Sequence, residues 1–235
     1  MKTIISIVML LLIMSGCAPN KPKPADVDLR PSLMVRTHIR PLSMPKYDLT
    51  LGVVTMRDQR LSNFYGESDN FFREDVAAGL SQTAYLLLKK SHLFNETKRI
   101  MVRMPDKLSR SELKSIAEKN NVDVLFVGDI VTFNLLRKSM IKADGLDLRM
   151  NGGQSEGDVL FNDFQLSVNY KLIGQLIYAK DGSILWAEKI QRNKSVFADE
   201  GTIEVSKLGD ITQQVIRDTM EDMYTLINST ALRLK

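Results

Sequence analysis

Apolar and polar positions alternate along this chain with two different periods, and the points where the period changes predict its elements. From Asp48 to Met56 an apolar run with Leu49, Leu51, Val53 and Val54 is too short for a buried helix and predicts a first strand. Phe72, Val76, Leu80, Thr83, Leu87 and Leu88 then recur at helical spacing, predicting a helix capped by Asp69 or Asn70 and ending near Ser91. A short strand is expected from Lys98 to Arg103, stopped by Pro105. Ser109-Arg110-Ser111-Glu112 has the form of a capping box and opens a second helix to about Lys119, with Leu113, Ile116 and Ala117 inward. Val122 to Leu136 is almost wholly β-forming. From Phe164 to Tyr178 apolar residues take alternate positions, as on a long half-buried strand. Asp181-Gly182 predicts a two-residue hairpin turn, whose central positions both need positive φ, and Ser183 to Phe197 the return strand. Asp210 is placed to cap a last helix to Leu232, with Ile211, Val215, Thr219, Met223, Leu226 and Ile227 on one side. The order β-α-β-α-β-β-β-α describes an α+β domain over residues 47–235, with a mixed β-sheet and three helices.

Two segments fall outside that pattern. Residues 17–46 hold six of the seven prolines (Pro19, Pro22, Pro24, Pro31, Pro41, Pro45), which excludes a helix and predicts a tether. Within it, Leu33, Val35, Thr37 and Ile39 alternate as on an edge strand or a docked arm. Residues 137–161 are polar and carry Gly145, Gly152, Gly153 and Gly157, as expected of a long connection.

The start of the chain changes the picture most. Met1-Lys2 is basic, Thr3 to Met14 is uncharged and apolar over about a dozen residues, and Ser15-Gly16-Cys17 follows. A bilayer-spanning helix needs roughly 20 residues, so residues 1–16 read as a cleaved signal peptide. Met14-Ser15-Gly16-Cys17 resembles the lipobox of bacterial lipoproteins, with Met14 where leucine is usual. The resemblance implies that Cys17 is lipidated and acylated and anchors the protein to a membrane. Ala18 follows, not the aspartate that retains enterobacterial lipoproteins at the inner membrane, so the resemblance implies the outer membrane, facing the periplasm. Cys17 is the one cysteine of the sequence, which leaves no partner for an intramolecular disulfide.

Composition adds mainly exclusions. The formal net charge of +4 is small and its basic residues are scattered, so nucleic acid is not an expected partner. The sequence contains none of the usual nucleophile-elbow, phosphate-loop, zincin or EF-hand motifs. His38 and His92 are its two histidines, too few for a histidine-rich zinc site, and Asp144 to Asp163 lacks calcium-loop spacing. No metal, no cofactor and no enzymatic activity are therefore expected.

A first strand carrying Leu51-Gly52-Val53-Val54, a helix ending in Leu86-Leu87-Leu88-Lys89-Lys90-Ser91-His92-Leu93-Phe94, a capped short helix and Val122-Asp123-Val124-Leu125-Phe126-Val127-Gly128-Asp129-Ile130 together resemble an envelope family. It is the periplasmic domain shared by the TolB amino-terminal domain, the curli-secretion lipoprotein and the Pel-polysaccharide export lipoprotein, and the likeness covers roughly residues 48–234. The resemblance implies a non-enzymatic structural or accessory subunit of an envelope-spanning assembly for secretion, polysaccharide export or flagellar function. It also implies envelope-protein partners and, since several members form rings, a homo-oligomer. The charges in 137–161 disfavour a membrane-inserted pore strand there. The alternative is a carrier or chaperone for lipid or polysaccharide.

The hairpin offers the sharpest candidate surface. A two-residue turn places Ile177 opposite Trp186, Ala179 opposite Ile184 and Ile173 opposite Ile190, while Tyr178, Leu176, Leu185 and Ala187 take the other face. With both faces apolar near the tip, one needs a second cover. Either the arm or a bulge supplies it within the monomer, or Trp186 with Ile173, Ile177, Ile184 and Ile190 is an oligomer or partner interface.

Overall fold

The computed structural model describes residues 30–60, 72–103, 105, 108–141, 162–198 and 204–232. Strand β1 (Tyr47–Val54) and the two-residue β2 (Arg57–Asp58) precede helix α1 (Val76–Ser91), β3 (Phe94–Ile100) and α2 (Arg110–Asn120). Strands β4 (Val124–Ile141), β5 (Asn162–Tyr178) and β6 (Ile184–Ala198) and helix α3 (Glu204–Ser229) complete the order. The sheet runs β3-β1-β4-β5-β6, with β2 beside β4. Its first three members are parallel and its last three antiparallel, the mixed α+β architecture expected.

Several boundaries differ from expectation for local reasons. Asp69 and Asn70 lie outside the described residues; Asp75 caps α1, accepting from the Ala78 amide at 2.9 Å. Strand β3 starts four residues earlier than Lys98, because His92 takes a left-handed conformation (φ 55°) that ends α1 and turns the chain onto Tyr47. Its middle, Asn95 to Lys98, is polar because β3 is a sheet edge. Strand β4 continues to Ile141, so residues 137–141, expected in the connection, pair with β5. Helix α3 begins at Glu204 rather than at Asp210. The capping box of α2 forms as expected, with Glu112 accepting from the Ser109 amide at 2.7 Å.

Helices α1 and α3 cover one face of the sheet and enclose the main core, in which Leu51, Phe126, Leu172, Leu80 and Met220 are fully buried. Helix α2 covers part of the other face with Leu113 and Ala117, over Val54, Leu125, Val127 and Ile177. In the main core Tyr170 stands edge-on to Phe133, with ring centroids 5.5 Å apart. Its hydroxyl is buried with no hydrogen-bond partner among the described residues, and burial pushes its pKa well above the ordinary tyrosine value. Replacing an orphaned hydroxyl by hydrogen removes a desolvation cost, so Tyr170→Phe is expected to raise the unfolding free energy by about 1 kcal/mol in urea titration.

The segment expected to be a tether over 17–46 is docked from Pro31 onward. It is an extended arm lying along α1 and α3. Leu33 is fully buried, and Val35 and Thr37 nearly so. The Thr83 hydroxyl donates to the Leu33 carbonyl at 2.9 Å and accepts from the Val35 amide at 3.2 Å. The Glu74 carboxylate accepts from the Leu33 amide at 2.8 Å, and Glu221 from that of His38 at 2.6 Å. The arm sits so close to α1 that a Cβ on Gly79 would fall 2.7 Å from that of Leu33. Among the described residues it pairs with no strand, because the helices, not the sheet edge, supply its partners.

Candidate functional site

The face of the sheet away from α1 and α3 is where sequence and structure leave room for function. An 11-residue helix spans only about 16 Å, so α2 covers the start of β4 and the end of β5 and no more. Beyond it, the side chains of Asn134, Lys171, Asn169, Ser167, Lys189, Gln191, Asn193 and Ser195 form an open polar surface across the β4-β5-β6 ribbon, placed there by cross-strand register. No described helix covers this surface. Ser167 and Ser195 hydrogen-bond at 2.8 Å, and the Gln191 amide donates to Asn169 at 3.5 Å. The positive charge of Lys189 nearby pushes the pKa of Lys171 down. Leu136 and Phe197 are exposed at the far end of the ribbon.

Under α2, the same face closes into a cavity of about 250 Å³. Leu125, Val127 and Ile177 come from the sheet, Leu113 from α2, and Ala179 and Ile184 from the hairpin end. Arg110 and Lys114, one helical turn apart on α2, stand at it together with Arg57. Arg57 is neutralised by a two-pronged ion pair with Asp129, whose second contact is 2.6 Å. Glu112 is engaged by Ser109, whose hydrogen bonds hold its carboxyl below the ordinary range. Glu118 reaches Lys114 only at 4.0 Å, a geometry worth little between exposed groups.

The hairpin reaches this cavity by a route different from the expected one. The loop is four residues, Ala179 to Gly182, closed by a bond from the Tyr178 amide to the Ser183 carbonyl at 2.8 Å. Gly182 alone has positive φ, at 73°, while the Asp181 carboxylate accepts from the Ser183 amide at 2.8 Å. A bulge follows between Leu176 and Ile177, so that Ile177 pairs with Ile184 and Leu176 with Trp186, while Ile190 pairs with Leu172 and Ile173 with Lys189. The expected pairs Ile177 with Trp186, Ala179 with Ile184 and Ile173 with Ile190 are thereby corrected, and the five residues divide between two faces. Trp186 and Ile190 belong to the main core. The Trp186 ring occupies the space over Gly174, 2.9 Å from where a Cβ would stand. Ile173, Ile177 and Ile184 lie on the face of α2, which supplies the second cover near the tip; Ile184 remains 51% exposed. Cys17 lies outside the described residues. Sequence reasoning missed Arg110 and Lys114 as site residues, although their i, i+4 spacing on a helix with Leu113 inward was legible.

Among the described residues no three of His, Cys, Asp and Glu come together as a metal site, and no helix is long and apolar enough to cross a membrane.

Fold and site together define a single-sheet α+β domain, with α1 and α3 over one sheet face, α2 over part of the other, and no described helix over the rest of the β4-β5-β6 ribbon. No family model matches the sequence. No curated protein matches it either. Among solved structures, the chain is similar to a putative neuraminyllactose-binding hemagglutinin homolog from Helicobacter pylori, at 10% identity and a TM-score of 0.47, over 83% of this chain and 92% of that one. It is similar to a Xanthomonas campestris protein at 12% identity and a TM-score of 0.45, over 82% and 93%. It is also similar to the PelC dodecamer from Paraburkholderia phytofirmans at 11% identity and a TM-score of 0.35, over 77% and 92%.

Proposed function

We propose that this chain is an outer-membrane lipoprotein, anchored through Cys17 and facing the periplasm, that serves as a non-enzymatic structural or accessory subunit of an envelope-spanning assembly. The observation that carries this reading is the open face of the β4-β5-β6 ribbon. The opposite face is occupied by α1, α3 and the arm, which leaves the ribbon as the broad surface available to a partner. Its exposed lysines, amides and hydroxyls suit a polar, acidic partner surface. The resemblance to the TolB amino-terminal, curli-secretion and Pel-export domains supports an assembly for secretion, polysaccharide export or motility, and a second copy of the chain is among the partners it suggests. Of the candidate interface residues, Ile173 and Ile184 are the two on this face that α2 leaves at least partly exposed, whereas Ile177 is buried under α2 and Trp186 and Ile190 are buried in the main core.

Two measurements test the reading. Cys17→Ser is expected to release the protein from the outer-membrane fraction; a variant that still fractionates there contradicts the anchor. A photo-reactive benzoylphenylalanine in place of Asn193 is expected to cross-link to envelope proteins in living cells, and its failure to capture any protein contradicts the docking surface.

The cavity under α2 favours a second reading, a lipid carrier of envelope assembly.

A further inference from the structure

We propose that the cavity between α2 and the β5-β6 hairpin binds one acyl chain of an anionic amphiphile, with its carboxylate or phosphate head group held by Arg110 and Lys114. The inference deepens the second reading above and is independent of docking at the open ribbon.

Three features of the cavity select this ligand class. Apart from Gln175, Tyr178 and the three cations, its lining side chains are apolar. The strands of its floor already spend their backbone groups on the β1, β4 and β5 ladders. A peptide segment entering it would bury amides without partners, at a cost an acyl chain does not incur. The volume, about 250 Å³, lies below the roughly 300–1,000 Å³ of pockets that enclose drug-sized ligands. It therefore suits one chain with its head outside, not a two-chain lipid swallowed whole.

The charge at the mouth selects the head group. With Arg57 satisfied by Asp129 and Glu112 committed to the helix cap, Arg110 and Lys114 are left as an exposed cationic pair one turn apart. An anionic head bridging them gains charge-assisted hydrogen bonds, whereas an alcohol head gains little.

The test uses the full-length lipidated protein in its native membranes, irradiated in the presence of palmitate carrying a diazirine in its chain. Adducts are expected on peptides bearing Leu113, Ile177 and Ile184, and are expected to be lost on competition with unlabelled laurate or dodecyl phosphate. Which competitor is stronger identifies a carboxylate or a phosphate head, and either outcome supports the proposal. The double variant Arg110→Glu, Lys114→Glu exchanges exposed side chains and is expected to lower labelling about tenfold. Ala179→Phe fills the hairpin end of the cavity and is expected to abolish labelling, while benzoylphenylalanine at Asn193 still captures its protein partner. Equal labelling by diazirine-bearing hexadecanol overturns the proposal, as does labelling indifferent to either variant. So does a photo-reactive group at Ile184 that captures protein and no lipid, since the cavity then receives a partner's segment.

Discussion

Leu33→Ala lowers the unfolding free energy by about 2–5 kcal/mol, measured as a fall in the urea midpoint at unchanged m. A residue in a free tether would give no change. Leu33 is fully buried 14 residues before β1, between the Glu74-bonded entry of the arm and its Thr83 contact. Truncation removes its apolar surface from the core and leaves a cavity that backbone so firmly hydrogen-bonded cannot close. The same variant is expected to leave membrane attachment intact, because the proposed anchor at Cys17 lies upstream of the loss. A midpoint equal to that of the unmodified protein would show that the arm is not part of the folded body.

Trp186→Ala is expected to cost about 3–5 kcal/mol of stability, and its effect on any cross-linked oligomer should follow the loss of fold. The indole packs inside the monomer over Gly174 and beside Phe126. An oligomer interface centred on this residue predicts the reverse, a stable monomer that no longer associates. Urea titration alongside cross-linking of the same preparation separates the two.

The element order was legible because each element carries its own local signal. The capping box at Ser109 needs no distant partner, and the alternation from Phe164 to Tyr178 requires only that one sheet face be buried. The arm was half legible: the alternation of Leu33, Val35 and Thr37 announced burial, but its partners are Thr83 and Glu221, 50 and 183 positions from the arm residues they meet. The hairpin register was missed for a different reason. Asp-Gly predicts two positive-φ positions, whereas the Asp181 carboxylate accepts from the Ser183 amide and lets the loop close with Gly182 alone at positive φ. Two residues of loop length and one bulge then sent Trp186 to the opposite face from Ile177. The cavity could not be read at all before the fold, since Arg57, Leu113, Val127 and Ile184 meet there only through the sheet crossing.

The direction of the arm has a mechanical consequence. Pro31 lies beside Arg73 and Gly209 near the amino-terminal ends of α1 and α3, and Leu42 meets Ser91 at the carboxy-terminal end of α1. Arm and helices therefore run parallel. A pull directed along the arm axis from the Pro31 end, as the proposed anchor at Cys17 could apply, would load the contacts of Leu33, Val35, His38 and Leu42 together, in shear. A pull directed across the arm would instead peel them away one at a time. If the chain is anchored through Cys17 as proposed, the contacts between arm and helices are the first part of the folded body to bear load.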